Sequence, residues 1–293
     1  MCSRDLESLL ESLIPGAGRL DMHRLKGGLI NESYRVTRSG VDYVLRAALA
    51  DAADLGLDRA WEAKVLTVAA AAGLAPPVIY CDAQRGLLLS RWVQGKFWTS
   101  AAARQPENIA GLAALLRRIH ALPMPLPART MSPRGWIEHY RRALCKADQY
   151  PAANLGLAHE AATRLSLLDD LGQSSPVLCH SDLHLQNLLS GPSPVLLDWE
   201  YAHSSDAFWD LAAWSCNNDL TKSLRLELLV HYGRRAPGPE DTMRLDLLCW
   251  LFDYVCLLWS ELYLSLRGES LAVSGRVRVI EARLHAALSS RAG

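Results

Sequence analysis

The chain has no excess of charge of either sign: Lys plus Arg and Asp plus Glu each number 31 among 293 residues. This argues against a protein that holds nucleic acid through bulk charge, though not against a local basic pocket. No two cysteines stand in C-x-x-C spacing, and the seven present, at 2, 81, 145, 179, 216, 249 and 256, are an odd set. Neither a zinc site nor a disulfide framework follows, and a reducing cytoplasm is the simplest setting. The opening Met-Cys-Ser-Arg-Asp-Leu-Glu lacks the apolar core of a signal peptide. There is no internal repeat, and no low-complexity tract beyond the alanine-rich stretch 67–75. The long apolar run 245–266 approaches the length of a membrane span, but Asp246, Asp253 and Glu261 fall inside it. Carboxylates at a bilayer centre are costly, so a buried amphipathic helix is expected and no membrane partner. What is present is ample apolar material: 50% of residues are hydrophobic, enough for two lobes with cores of their own.

The richest stretch is 178–202. It reads Leu-Cys-His-Ser-Asp-Leu-His-Leu-Gln-Asn-Leu-Leu, then a turn around Gly191-Pro192-Ser193-Pro194, then Val-Leu-Leu-Asp-Trp-Glu-Tyr-Ala. Apolar runs at 177–179, 188–189 and 195–197 flank the polar residues, and the Gly-Pro cluster predicts a hairpin between them. Any single Asp or Asn here is most simply a turn former. Together, Asp182, Asn187 and Asp198 make a set with a purpose. Asp182 is placed to accept a proton from an attacking hydroxyl. Asn187 and Asp198 offer the hard oxygen ligands that suit Mg²⁺. Glu200 lies two residues on, on the same face if the strand continues, and offers the metal a second carboxylate.

Elsewhere, Leu6, Leu9, Leu10, Leu13 and Ile14 fall at helical spacing over 5–14. Residues 20–49 read as strands turning at Ser39-Gly40, 58–72 as a helix stopping near Gly73, and 77–81 and 87–92 as a strand pair. From about 107 the pattern is mainly helical. A strand-rich portion with one helix (1–93) thus precedes a larger helical one (94–293), an α+β architecture.

In order and motif the chain resembles the protein-kinase-like fold in its small-molecule branch. That branch holds aminoglycoside phosphotransferases, choline and ethanolamine kinases, and bacterial thiamine kinases. The resemblance is carried by His180-Ser181-Asp182 with Asn187, and by Asp198-Trp199-Glu200-Tyr201-Ala202. It implies an ATP- and Mg²⁺-dependent kinase with Asp182 as catalytic base and Asn187 and Asp198 on the metal. His180 is then a buttress of the loop. Asp210, in Phe208-Trp209-Asp210-Leu211-Ala212, braces the loop or caps a helix. Lys26-Gly27-Gly28-Leu29-Ile30-Asn31-Glu32-Ser33 resembles the phosphate loop, with Gly27 and Gly28 admitting phosphate and Asn31 to Ser33 supplying N–H groups. Arg46 stands where protein kinases carry a lysine, as in many choline- and thiamine-type kinases, with Glu62 as its partner. Arg91, Trp92 and Val93 form the hinge whose backbone meets the base.

For the acceptor, Trp250, Asp253, Tyr254, Leu257 and Glu261 share one face of the 245–266 helix. Aromatic rings with carboxylates suit a cationic alcohol such as choline or thiamine. A packed core helix is the competing reading. Trp199, Tyr201, Trp209 and Trp214 are further lining candidates, and His184 is expected to pack the loop. The tail 276–293 holds Arg276, Arg278, Arg283 and Arg291 against Glu281 alone, which disfavours an aminoglycoside. Aminoglycoside or amino-sugar phosphotransfer, or a non-catalytic nucleotide-binding pseudokinase module, are the alternatives.

Overall fold

A computed structural model of the chain describes residues 3–26, 28–49, 53–147, 155–191 and 193–289. Helix α1 (Ser3–Leu13) leads into an antiparallel sheet of β1 (Asp21–Arg24), β2 (Asn31–Arg38), β3 (Val41–Ala48), β4 (Val78–Asp82) and β5 (Leu87–Arg91), in the order β1-β2-β3-β5-β4. The β2–β3 turn is at Ser39-Gly40, both at positive φ, as the alternating pattern on either side requires. Leu10 and Ile14 pack with Val36, Tyr43, Leu45 and Leu89 to form a small core between α1 and one face of the sheet. Helix α2 (Arg59–Ala71) is inserted between β3 and β4, and Asp58 caps it by accepting a bond from the Trp61 amide at 2.9 Å.

The apolar face of α2 belongs to the other, larger core. Trp61, Val65, Leu66 and Ala69 are buried with the helices that follow. Trp61 Nε1 donates to Ala202 O at 2.7 Å, and Leu196 N to Leu74 O at 2.9 Å. The strand-rich portion is therefore fastened to the helical one well before the chain crosses over near residue 93.

Beyond the crossing lie α3 (Pro106–His120), α4 (Pro133–Lys146), α5 (Leu155–Asp170), α6 (Phe208–Asn217), α7 (Lys222–Gly233), α8 (Pro239–Arg267) and α9 (Leu271–Ser289). Prolines at the starts of α3, α4 and α8 occupy positions where a missing N–H costs nothing. At 29 residues, α8 is the one helix among those described that is long and apolar enough to cross a membrane. It is instead the central strut of the large core, packed against α4, α5, α6 and α9.

Between α5 and α6 the chain forms short strands. β7 (Val177–Cys179) pairs with β10 (His203–Ser205), while β6 (Lys96–Phe97), β8 (Leu188–Ser190) and β9 (Val195–Leu196) form a second ribbon. The expected hairpin is β8–β9, and the β7–β10 pair closes the segment on itself. The strand does not continue through Asp198 as the sequence suggested. Asp198 adopts a left-handed conformation, φ 59°, and Trp199–Tyr201 follow as a 3-10 turn.

Candidate active site

The β7–β10 pair and the β6-β8-β9 ribbon flank the loop 180–187. His180 is fully buried, and its Nδ1 accepts from the Asp182 amide at 3.3 Å, so its Nε2 carries the proton donated to Leu197 O at 2.9 Å. Burial keeps this imidazole neutral by pushing its pKa down. Asp210 accepts from the His180 and Ser181 amides at 2.9 and 2.7 Å and from His120 Nε2 at 3.1 Å. It braces the loop and does not cap α6. Ser181 is held at φ 70°, a strained conformation for a residue with a Cβ, and Asp198 shares that strain.

Asp182 lies at the mouth of the loop. Asn187 Nδ2 donates to both its carbonyl and its Oδ2 at 2.9 Å, which leaves the amide oxygen of Asn187 as the branch not engaged with Asp182. Burial would raise the Asp182 carboxyl, but His184, 3.5 Å away, with His180 and Arg276 adding to it, outweighs burial and holds the group at about 2. His184 Nδ1 accepts from the Gln186 amide, which turns the protonated Nε2 toward Asp182. Loop packing is thus too small a role for His184; its Nε2 faces the Asp182 carboxylate.

Across the cleft, Arg46 donates to Glu62 at 2.5 Å and to Asp198 Oδ1 at 2.8 Å, with Glu200 3.8 Å away. Burial acts against the guanidinium, but the three carboxylates overbalance it and push its pKa up. Glu62, although buried, is held below the usual carboxylate range by Arg46 and Arg59. Arg59 was not anticipated. It donates to Glu62 at 2.9 Å, Glu200 at 2.7 Å and Asn31 Oδ1 at 2.7 Å. The i,i+3 spacing of Arg59 and Glu62 is the only local signal of it.

This network gives Glu200 a framework role, while Glu62, Asp198 and Glu200 also bring carboxylate oxygens within 4.8 Å of one another, a grouping that could hold a metal ion. Glu200 Oε2 accepts from Arg59 and from Asn31 Nδ2, both at 2.7 Å, so that oxygen is committed to the framework. Burial, with Asp198 adding to it, raises the Glu200 carboxyl to about 7. Asp198 keeps Oδ2 clear of Arg46. The free oxygens of Asp198, Asn187 and Glu200 are all of the hard type that suits a divalent cation.

One cleft of about 1170 Å³ connects these groups, a volume large enough for a nucleotide and a small acceptor together. Gly28, Asn31, Ser33, Arg46, Glu62 and the 91–93 hinge line its sheet side. Gly28 has φ 88°, and a Cβ there would lie 2.5 Å from Asn31 O, so only glycine fits. Gly27 lies outside the described residues. Asn31 and Ser33 belong to β2, not to the loop before it. At the hinge, the Arg91 and Trp92 amides are taken by Pro77 O and Asp42 O. Arg91 lies over Tyr43, and Arg35 over Trp92. Val93 is left as the hinge residue with its amide uncommitted among the described residues.

The acceptor wall differs most from expectation. Trp250, Asp253 and Tyr254 are all buried and do not line the cleft. Trp250 stacks on Tyr254 and lies under Arg164 of α5 at 4.7 Å, while Asp253 accepts from Arg283 of α9 at 2.6 Å. The cleft is lined by Phe252, Val255, Cys256 and Trp259, about 200° round the helix. Periodicity identified a face of α8, but α5 and α9 cover that face. Tyr201, Trp209 and Trp199 do border the cleft; Trp214 is in the core, edge-on to Trp98. Tyr201 is fixed by Trp259 Nε1 at 2.6 Å, and Trp136 stacks on Tyr140 beside it. Arg291 lies outside the described residues.

A sheet lobe with an Arg–Glu pair, hinged to a helical lobe that presents Asp, Asn and Asp, defines a protein-kinase-like phosphotransferase. The sequence profile of the APH phosphotransferase enzyme family matches residues 21–245, and the chain belongs to that family. No curated protein sequence matches it. Among solved structures, a choline/ethanolamine kinase family protein from Mesorhizobium loti superposes with a TM-score of 0.78 at 24% identity, covering 98% of this chain and 94% of its own. Choline kinase LicA from Streptococcus pneumoniae gives 0.79 at 21% identity, with 98% of each chain covered. A spectinomycin phosphotransferase in complex with ADP and spectinomycin gives 0.64 at 14% identity, covering 95% and 94%. At these identities the likeness establishes the protein-kinase-like fold.

Proposed function

We propose that the chain is an ATP- and Mg²⁺-dependent kinase that phosphorylates the hydroxyl of a small alcohol bearing a cationic nitrogen, with choline or thiamine as the leading acceptors. The observation that carries this reading is the convergence of Asp182, Asn187 and Asp198 on one cleft, opposite the Arg46–Glu62 pair. Asn187 and Asp198 would hold the metal, which when bound neutralises phosphate charge. Arg46 is anchored by Glu62 and can meet phosphate oxygens beside Asp198. With its carboxyl at about 2, Asp182 is ionised at neutral pH and a weak base. Its part is to accept the acceptor's O–H, align the oxygen on the phosphorus, and take the proton late, once bond formation has made it acidic. Glu200 and Arg59 keep the two lobes in register.

The aromatic group Tyr140, Tyr201, Phe252 and Trp259 supports a cationic, partly apolar acceptor through cation–π contact. The six described cysteines are all free, which suits a reducing cytoplasm. The test is ATP consumption against thiamine, choline, ethanolamine, aminoglycosides and amino sugars, with Asp182→Ala as control. Turnover of one acceptor, reduced by about 10² to 10⁴ in the variant, is expected. Nucleotide binding without turnover across the panel would favour the pseudokinase reading.

A further inference from the structure

Arg276, on α9, lines the cleft. Both of its hydrogen bonds leave from Nη2, to Asn217 Oδ1 at 3.2 Å and to Cys256 Sγ at 3.6 Å. Neither acceptor is charged. Among the described residues no carboxylate lies within ion-pair distance of it. Its neighbour Arg283 is held by Asp253 at 2.6 Å and Asp219 at 2.7 Å, so those acids are already engaged. Arg276 therefore makes no contact ion pair, its charge being felt only at longer range by Asp182 and Asp253, and Nη1 and Nε keep their donors.

Its place in the cleft identifies the ligand it faces. Asn217 donates from Nδ2 to Leu183 O at 3.0 Å, next to Asp182. Cys256 shares its face of α8 with Phe252 and Trp259. All these contacts come from helices of the large lobe, on the acceptor side of Asp182. Arg46 and the hinge lie on the sheet side. A wholly cationic acceptor would satisfy the aromatic wall and meet like charge at Arg276. An acceptor that also carries a carboxylate would satisfy both, because the planar fork of a guanidinium matches a planar carboxylate.

We infer that Arg276 is the anion-recognising residue of the acceptor subsite, and that the preferred acceptor is an amino alcohol that also bears a carboxylate. This rests on the kinase reading above: it keeps the cationic nitrogen of that acceptor class and adds a carboxylate, which choline and thiamine lack. Choline would fill only the aromatic half of the subsite.

The experiment uses acceptor pairs that differ by one carboxylate: serine and ethanolamine, homoserine and 3-aminopropan-1-ol, carnitine and 1-(trimethylammonio)propan-2-ol. For each pair the ratio of kcat/KM, acid over decarboxylated partner, is measured with the full chain, Mg²⁺ and ATP. Binding is followed in parallel as the shift in melting temperature with Mg-ADP present. At least one pair should favour the acid, and Arg276→Gln should collapse that ratio by about 10- to 100-fold. Arg276→Lys, which keeps the charge without the fork, should restore part of it. A purely structural role, or a role on the transferring phosphoryl group, would lower both members alike and leave the ratio intact. That result overturns the inference, as does preference for the decarboxylated member, or silence of every acid in both turnover and melting shift. The kinase reading is scored separately, by whether Asp182→Ala abolishes transfer to any acceptor in the wider panel.

Discussion

Arg59 and Glu200 stand 141 positions apart and share a hydrogen bond of 2.7 Å that joins the first turn of α2 to the turn after Asp198. The same guanidinium holds Glu62 and Asn31, so one side chain links the start of β2, the Arg46 partner and the segment after Asp198. Both partners in the link are almost wholly buried, with side chains 11% and 4% exposed.

Removing Arg59 should therefore be costly in two ways. Arg59→Ala leaves Glu200 with Asn31 as a hydrogen-bond donor and Arg46 at 3.8 Å as its remaining cation. Breaking a buried pair in this way costs about 3–5 kcal/mol. The expected result is a clear fall in melting temperature together with a raised KM for ATP. A variant that melts like the parent would remove Arg59 from the framework.

Asp198 and Glu200 should separate cleanly in their metal dependence. Asp198→Asn is expected to raise the Mg²⁺ concentration for half-maximal activity and to lower kcat by about 100-fold or more, as loss of a ligand does. Glu200→Gln keeps an acceptor for Arg59 and Asn31 and should shift the Mg²⁺ titration little. Equal shifts in the two titrations would put Glu200 on the metal as well.

A third expectation concerns acid stability. His203 is fully buried, with Nδ1 on Tyr201 O at 2.8 Å and Nε2 accepting from Trp136 at 3.4 Å. Burial pushes its pKa down to about 4. In the unfolded chain a histidine titrates near ~6.5. Between those values the unfolded chain binds a proton that the folded chain refuses, so stability falls as pH drops through that window and is fully present above it. The term amounts to roughly 3 kcal/mol, and His180, shifted in the same direction, adds to it. Melting temperatures from pH 7.5 to 4.5 should fall, and His203→Gln should fall less steeply. Parallel slopes would assign the acid sensitivity elsewhere.

Much of the fold was legible because its signals are local. The Ser39-Gly40 turn, the Gly73 stop and the Gly-Pro cluster mark element ends within a residue or two of where they lie. Asp182, Asn187 and Asp198 could be grouped from sequence because two short β-pairs bring them together within 25 residues. The readings that failed depend on distant partners. Which face of α8 is lined or covered was decided by α5 and α9, and the arginine that Glu200 meets lies 141 positions away in the chain. The left-handed turn at Asp198 was also invisible, since strand periodicity carries no sign of where φ changes.

Trp61 bears on how this molecule can be controlled. Protein kinases are commonly switched by swinging the small-lobe helix and parting its glutamate from the strand cation. Here that movement would pull Trp61 Nε1 from Ala202 O and expose Trp61, Val65, Leu66 and Ala69, which are all buried. Uncovering the three larger side chains alone costs about 5 kcal/mol or more. With α2 pinned in this way, parting the Arg46–Glu62 pair would require uncovering that apolar face. For the kinase proposed above, the strand cation and its glutamate would then be in place before substrate arrives, with the helix not serving as a switch.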